Sequence, residues 1–311
     1  MQQHAPYTAP PQHTLLAIIL FCAGLSLGAF QSGLGKMLTS ELPVLLIIWG
    51  RYVGYFVLVF PLTLWRHGRS TFSIERPRLQ LLRALVQAGG SLCFLAALIG
   101  APLADATAIL FVYPFLVTAM APVFLGDRLR ASHWIAVSLG FVGVVVVMRP
   151  GLSGVSLYSL LALTAGSTYA AQLVLTRQLT GIAPPLVTGS VTAAVGLGVF
   201  SLLLPWVWQP LTLFQVSLLI GIGVSVTMGQ QLTIAACDRA QLSTLAPFGY
   251  FEIVAAALVS LLLFHELPDA VASLGIAIII ATGLYIALTL RRAGPGSMKT
   301  VSRSQNNNDA N

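Results

Sequence analysis

Charged side chains are scarce in this chain. Only 8% of its 311 residues are Asp, Glu, Lys or Arg, whereas a soluble domain carries about a quarter. Hydrophobic residues make up 57% of the sequence, and the mean hydropathy is +0.87. This composition excludes an ordinary soluble protein and predicts an all-α integral membrane protein, because helices satisfy their backbone hydrogen bonds internally within lipid.

Cysteine and histidine are also few, and they do not cluster. The three cysteines, Cys22, Cys93 and Cys237, lack the spacing of a metal site. All five histidines lie in the tails or at the ends of apolar runs, so no catalytic pair or metal-ligand set is evident within the membrane. We therefore expect no cofactor and no metal, and a membrane-embedded enzyme is a weak alternative.

Ten apolar segments of membrane-spanning length account for most of the chain. They are predicted at 14–34, 43–65, 79–100, 103–125, 133–149, 155–176, 185–206, 212–236, 241–264 and 268–290. Residues 1–13 and 291–311 are polar and are predicted to be disordered tails. No connection is long enough to hold a soluble domain, so function must reside within the helices.

Basic residues predict the orientation of these segments. With the N terminus in the cytoplasm, 13 of the 16 Lys and Arg fall on the inner side, Arg83 among them, and only Lys36 and Arg149 fall outside. Both termini are therefore predicted to be cytoplasmic. The net charge of +7 is interpreted as this orientation signal, and no nucleic-acid partner is expected.

Weak internal similarity predicts a repeat. A shift of 141 residues aligns Gln31 with Gln172, and a shift of 139 aligns Tyr113 with Glu252. Five helices is an odd number, so two such halves would point in opposite directions across the membrane, as in many secondary transporters. Chance matching between Ala- and Gly-rich helices is the alternative. The predicted inverted five-helix repeats span residues 14–149 and 155–290.

Two stretches carry a resemblance to a known family. The first half contains LADATAILFVYPFLVTAMAPVFLGDRL followed by GFVGVVVVMRPG, and the second contains LSTLAPFGYFEIVAAALVSLLLFHEL. With the ten-helix layout, these make the chain resemble EamA-type transporters of the drug/metabolite transporter superfamily, from about residue 15 to 290. The first half departs from the family pattern by ending in Asp127, where Glu is more usual, and the glycines of the fifth and tenth helices are out of register.

The resemblance implies a function. Similar proteins are multi-pass carriers of the bacterial inner membrane that move small organic metabolites by alternating access. Their substrates include amino-acid derivatives, cofactor-like molecules such as riboflavin or S-adenosylmethionine, sugars and drugs. Transport direction, coupling ion and assembly as a homodimer are left open by the sequence, and a passive channel for small solutes remains the alternative function.

Glu252 is the main candidate site residue. It is the one ionisable side chain in the predicted ninth segment, with eleven residues before it and twelve after. An acidic group at mid-membrane costs about 2.5 to 3.5 kcal/mol, so it should face a protein interior or a watery cavity. It could carry a proton during transport, bind a cationic group of the substrate, or stay protonated as a packing residue.

Arg51 is the second candidate, eight residues into the predicted second helix. It could pair with Glu252, receive an anionic group of the substrate, or extend toward the outer interface. The remaining candidates are polar side chains within apolar segments, which should face inward either to bind substrate or to join helices. These are Tyr113, Tyr250, Gln31, Gln172, Gln87, Gln230 and Gln231.

Overall fold

The computed structural model describes residues 11–68, 71, 74–125, 131–148, 156–179, 182, 184–237, 239 and 245–292. These residues form helices and turns and contain no strand, which confirms the all-α prediction. The α-helices are α1 (Pro11–Leu38), α2 (Val44–His67), α3 (Pro77–Ala97), α4 (Leu103–Leu110), α5 (Tyr113–Leu125), α6 (Ala131–Met148), α7 (Leu157–Leu179), α8 (Pro185–Leu203), α9 (Leu213–Cys237), α10 (Phe251–Phe264) and α11 (Ala270–Arg292).

Six helical stretches are long and apolar enough to cross a membrane. They are Leu15–Leu38, Val44–His67, Pro77–Ala97, Leu103–Met120, Pro185–Trp206 and Leu213–Ala236. Shorter apolar stretches occupy Val137–Met148, Phe248–Phe264 and Ala270–Tyr285. The chain is thus a membrane protein by length and composition of its helices, and the full set of ten spans stays a prediction.

The helix ends differ modestly from the predicted ones. Helix α1 begins at Pro11, so residues 11–13 are helical and not part of a disordered tail. Proline is well tolerated at the first position of a helix, because the N–H it lacks would have no intrahelical partner there. Helix α11 likewise continues to Arg292. The predicted tails 1–10 and 293–311, and Asp127, lie outside the described residues.

Two predicted segments are not continuous helices. The segment at 103–125 is interrupted at Phe111 and Val112, just before Pro114. In the segment at 241–264, a 3₁₀ helix at Ala246–Tyr250 precedes α10. A proline lacks the backbone N–H of a regular helix and disfavours helical geometry in the residue before it, which accounts for the interruption next to Pro114.

Helices from the two halves of the chain pack against each other in reciprocal pairs. Helix α1 packs on α9, and α3 packs on α7. Likewise, α1 contacts α10 while α4 and α5 contact α7, and α2 contacts both α8 and α9 while α3 contacts α8. Helix α6 packs on α11. The main apolar core therefore lies between the halves, and each half is covered largely by the other.

Glycines allow two of these contacts to be very close. A Cβ atom added to Gly54 of α2 would lie 2.7 Å from the Cα atom of Gly223 in α9. One added to Gly24 of α1 would lie 2.9 Å from the carbonyl oxygen of Gly229 in α9. Side chains are excluded at these crossings, which gives Gly24 and Gly54 the helix-packing role that small residues have in membrane proteins.

Candidate functional site

A polar cavity of about 280 Å³ lies between helices of both halves. Helices α2 and α3 form one side, and α7, α8 and α9 form the other. It is lined by Tyr55, Val59, Arg83, Gln87, Thr176, Leu179, Pro185, Leu186, Thr188, Gly189, Thr192, Gln230, Gln231 and Ile234. Because α7 ends and α8 begins beside the cavity, it lies near the end of the bundle that the basic residues predict to be cytoplasmic, here called the inner end.

Four of the five predicted glutamines are at or beside this cavity. Gln87, Gln230 and Gln231 line it. Gln172 is buried, and its Nε2 donates a hydrogen bond of 3.0 Å to Oε1 of Gln87. That bond joins α3 to α7 across the two halves. Gln31 lies elsewhere, in a small pocket described below.

Arg83 is the cavity residue that the sequence did not single out. It was counted with the basic residues of the inner side, but it lies in the second turn of α3. Its Nε and Nη1 atoms each donate a hydrogen bond of 2.6 Å, to Oγ1 of Thr176 and of Thr192. The available signal was its position inside a predicted membrane segment, five residues after the segment begins at 79.

Glu252 lies in the first turn of α10, next to α1. A Cβ atom added to Gly28 would be 3.6 Å from Oε1 of Glu252. Gly28 lies 13 residues into the 24-residue candidate span that begins at Leu15, so the carboxylate is near the middle of that span. The carboxylate thus faces a neighbouring helix at mid-depth, even though Glu252 is near the start of its own helix.

Aromatic rings surround this part of the fold. The rings of Tyr113 and Tyr169 meet edge to face with centroids 4.7 Å apart. The ring of Phe111 lies 5.2 Å from that of Tyr113 and 5.4 Å from that of Tyr250. Tyr113, Tyr169 and Glu252 are within electrostatic range of one another. The structure thus brings the predicted residues Tyr113, Tyr250 and Glu252 into one region.

Tyr169 connects this region to the cavity. It lies on α7, and it is within electrostatic range of both Glu252 and Arg83. Gln172, which is bonded to the cavity residue Gln87, follows it by three residues on the same helix. Residues three apart lie on one face of a helix, so one face of α7 runs from the cavity toward Glu252.

Arg51 and Gln31 share a separate pocket of about 20 Å³ between α1, α2, α3 and α9. Ser91 lines it as well. No ion pair joins Arg51 to Glu252 within the described part of the chain, where the recorded ion pair is Lys36–Glu266. The structure therefore does not bring Arg51 to the main cavity, and its pairing with Glu252 stays a prediction.

The opposite end of the bundle, here called the outer end, is held together by polar contacts. Lys36 Nζ, at the end of α1, donates to Oε2 of Glu266 at 2.6 Å. Nε2 of Gln215 donates to Oε2 of Glu41 at 2.8 Å, and Nε2 of Gln209 donates to the carbonyl oxygen of Glu41 at 3.0 Å. These contacts join the first half of the chain to the second.

A tryptophan adds to this closure. Nε1 of Trp49 on α2 donates to Oγ of Ser201 on α8 at 3.0 Å, and its ring packs edge to face on Trp208. Together with the ion pair and the glutamine contacts, this links α2 to α8 and to the connection that follows it. The large cavity thus lies toward the inner end, whereas bonded side chains cover the outer end.

No cluster of three or more metal-ligating side chains occurs among the residues whose positions are described. The cavity lining contains amides, hydroxyls and one guanidinium group. Such groups bind organic molecules through hydrogen bonds and charge.

The family model for EamA-like transporters matches residues 15–149. An S-adenosylmethionine uptake transporter of Rickettsia bellii is 25% identical over 264 residues, covering 84% of this chain and 89% of that protein. A riboflavin transporter of Brucella anthropi is 26% identical over 275 residues, covering 84% and 93%. One crystal structure superposes on 91% of this chain and 98% of its own with a TM-score of 0.62, and its 17% identity shows the fold alone. The resemblance found in the sequence is thus confirmed: the chain is a relative of the EamA-like transporters of the drug/metabolite transporter superfamily.

Proposed function

We propose that this protein is a secondary transporter that moves a small organic metabolite across the cell membrane by alternating access, and that it is not an enzyme. The observation that carries the proposal is the polar cavity of about 280 Å³ between the two halves of the chain. Ligand pockets in proteins hold about 300–1,000 Å³, so this cavity suits a small metabolite or one end of a larger one.

The packing supports two inverted repeats. If α1 to α6 correspond to α7 to α11, each contact between halves has a counterpart, such as α1 on α9 and α7 on α3. The helix interruptions also correspond, because α5 begins at Tyr113 and Glu252 lies 139 residues later in the first turn of α10. Interrupted helices at matching positions are typical of inverted-repeat transporters, whose sites lie between the halves.

The difference between the two ends supports alternating access. The cavity lies near the inner end, whereas the ion pair of Lys36 with Glu266 and the bonds to Glu41 cover the outer end. We infer that this is an inward-facing conformation of the carrier. Breaking the outer contacts while closing the cavity would produce the opposite conformation by rocking one half against the other.

Glu252 is proposed to take part in binding or coupling. Its carboxylate lies between α1 and the Tyr113–Tyr169 pair, so it can reach a proton or a cationic group at the interface of the halves. Arg51 is proposed to serve in another conformation, since its pocket is separate here. Proton coupling and assembly as a homodimer are not assigned by this geometry.

The test is counterflow in liposomes that contain the purified protein. S-adenosylmethionine and riboflavin are the first compounds to test, because relatives are named for them. A carrier takes up labelled compound faster when the lumen holds unlabelled compound. Flux without counterflow would instead establish a passive channel, and chemical conversion of the compound, detected by mass spectrometry, would establish an enzyme.

The location and orientation form part of the proposal. We propose that the protein lies in the cell membrane, in a bacterium the inner membrane, with both termini in the cytoplasm. Epitope tags at the two ends should be protected from protease in intact cells and become cleavable after the membrane is opened. Cleavage of either tag in intact cells would contradict this orientation, and with it the names given to the two ends.

A further inference from the structure

Arg83 places a guanidinium group in the wall of the cavity. It lies in the second turn of α3 and faces residues of α7 and α8. Among the fourteen residues that line the cavity it is the one with a full charge. The electrostatic character of the cavity is therefore set by this side chain, and it is positive.

Two threonines fix the guanidinium group in place. Thr176 and Thr192 accept from Nε and Nη1 of Arg83, while their own hydroxyls donate to the carbonyl oxygens of Gln172 and Thr188 at 2.7 and 2.8 Å. Each hydroxyl has one proton and uses it on its own helix, so it presents lone pairs to the arginine. The guanidinium is thus oriented by neutral acceptors.

The charge of Arg83 has no carboxylate partner in the described part of the chain. The ion pair recorded there joins Lys36 to Glu266, at the outer end, and no Asp or Glu lines the cavity. A partly buried charge that is not paired is costly, because hydroxyl groups replace only part of its hydration. Such an arrangement is favourable when a bound anion completes it.

We propose that Arg83 is the anion-binding group of the cavity and that the transported metabolite carries a carboxylate group that binds there. This inference rests on the proposed transport function. A guanidinium group has five N–H donors, and the two threonines take two of them, which leaves donors for a bidentate carboxylate. The neighbouring Gln87 accepts from Gln172 through Oε1, so its own amide N–H groups are further donors at the cavity.

A carboxylate fits this site better than a phosphate group. The single positive charge of Arg83 matches the single negative charge of a carboxylate. A phosphate monoester carries about −1.5 to −2 charges at neutral pH and would remain partly uncompensated. The rest of the lining is neutral and includes several apolar side chains, among them Val59, Leu179 and Ile234.

The experiment measures anion binding without requiring a known substrate. Cys22, Cys93 and Cys237 are replaced by serine in the full-length protein, and a reporter cysteine is introduced by Ile234→Cys in the cavity wall. The purified protein in detergent is reacted with a negatively charged methanethiosulfonate reagent. Propionate, propionamide, inorganic phosphate and chloride are compared as protecting probes at equal concentration.

Propionate should slow the reaction by about threefold once its concentration is about twice its Kd. Propionamide and chloride should not slow it, and phosphate should protect less than propionate. Arg83→Gln should remove the protection and also slow the unprotected reaction, since the attraction of the anionic reagent is lost. Arg83→Lys, which keeps the charge, should retain the fast unprotected reaction.

Arg66→Gln is the matched control, because Arg66 is an exposed cation in the last turn of α2. Its protection by propionate should equal that of the parent protein. Equal effects of propionate and chloride would overturn the proposal, as would protection that survives Arg83→Gln in a protein that still folds. Stronger protection by phosphate would overturn the assignment to a carboxylate. Transport without propionate protection would leave the transport function standing, whereas protection without transport would contradict only that function.

Discussion

The helix interruptions in the two halves have corresponding positions and different chemistry. In the first half, Tyr113 begins α5 after the interruption at Phe111 and Val112. In the second half the corresponding residue is Glu252, which follows the 3₁₀ helix Ala246–Tyr250. Tyrosine in this position packs against the aromatic ring of Tyr169, whereas the carboxylate can exchange a proton or bind a cation.

The comparison indicates that backbone geometry and chemical function need not be repeated together. An interruption frees backbone polar groups and directs the next side chain across the helix interface, and both halves share this property. The charge is present only once. We infer that the first half supplies an aromatic wall and that the second supplies the group that changes its state during transport.

The largest expected effect comes from Glu252→Gln. The amide keeps the shape of the side chain but cannot be ionised, so we expect counterflow in liposomes to fall to the level of empty liposomes. Because no ion pair to Glu252 is lost in the described structure, the melting temperature should stay close to that of the parent protein.

Glu75→Gln is the control for this variant, because it removes one exposed carboxylate near the start of α3. It should transport at the parent rate. Transport by Glu252→Gln at that same rate would show that the carboxylate is a packing residue, and the functional difference between the halves would disappear.

The second effect is expected at Gly283 of α11, where the ring of Tyr250 packs. A Cβ atom added to Gly283 would overlap the hydroxyl and ring of Tyr250. Gly283→Ala should therefore displace Tyr250 and destabilise the protein by about 1–3 kcal/mol, the usual cost of overpacking. Thermal unfolding in detergent measures it.

Gly89→Ala is the matched control, since a Cβ atom at Gly89 would meet no atom within 4 Å. It should be neutral or slightly stabilising, because alanine favours a helix by about 1 kcal/mol over glycine. Equal melting temperatures for the two alanine variants would show that Tyr250 is free to move, and the aromatic region would then not be a fixed wall.

Much of the fold was predictable because it follows from hydrophobic length. The apolar segments and their ends came within a few residues of α1 to α11, since lipid requires long uninterrupted helical hydrogen bonding. The interruptions at Phe111 and Tyr250 were less clear. Prolines indicated kinks, but whether a kink becomes a break depends on contacts with other helices, which the sequence alone does not reveal.

The candidate site was predictable only in part, for a similar reason. Amides such as Gln87 and Gln172 stand out within apolar segments because they are costly in lipid. Arg83 is near the inner end of α3, where positive charge is also explained by membrane orientation, so two causes gave the same pattern. Arg51 stood out equally well, yet it lies in a different pocket, because the rotation of α2 depends on its packing against α8 and α9.

The third prediction concerns the ion pair at the outer end. Lys36 contacts both Glu266 and the ring of Phe264, so this pair joins the first half to the helix that carries Glu252. Lys36→Gln and Glu266→Gln should each lower stability by about 1 kcal/mol or less, because the carboxylate is partly exposed. The double variant should be no worse than either single one, as required if the two residues act through each other.

Loss of this ion pair should also favour the outward-facing state. A cysteine introduced at Ser40 should then show no change, being exposed already, whereas one introduced at Gly35, which faces Leu95, should react faster with an external thiol reagent. Unchanged reactivity at Gly35 in both single variants would contradict a gating role and leave the pair as a surface contact.

The smallest effect is expected for Tyr113→Phe, which tests the first half of the comparison directly. The substitution keeps the ring contacts with Phe111 and Tyr169, whose loss would cost about 0.5–1.5 kcal/mol each, and removes only the hydroxyl. Counterflow should therefore stay within about twofold of the parent rate, a change below about 0.5 kcal/mol. Tyr113→Ala, which removes the ring as well, should reduce it much further. If phenylalanine abolishes transport as completely as Glu252→Gln does, then the hydroxyl of Tyr113 is part of the reacting group, and the chemistry is shared between the halves after all.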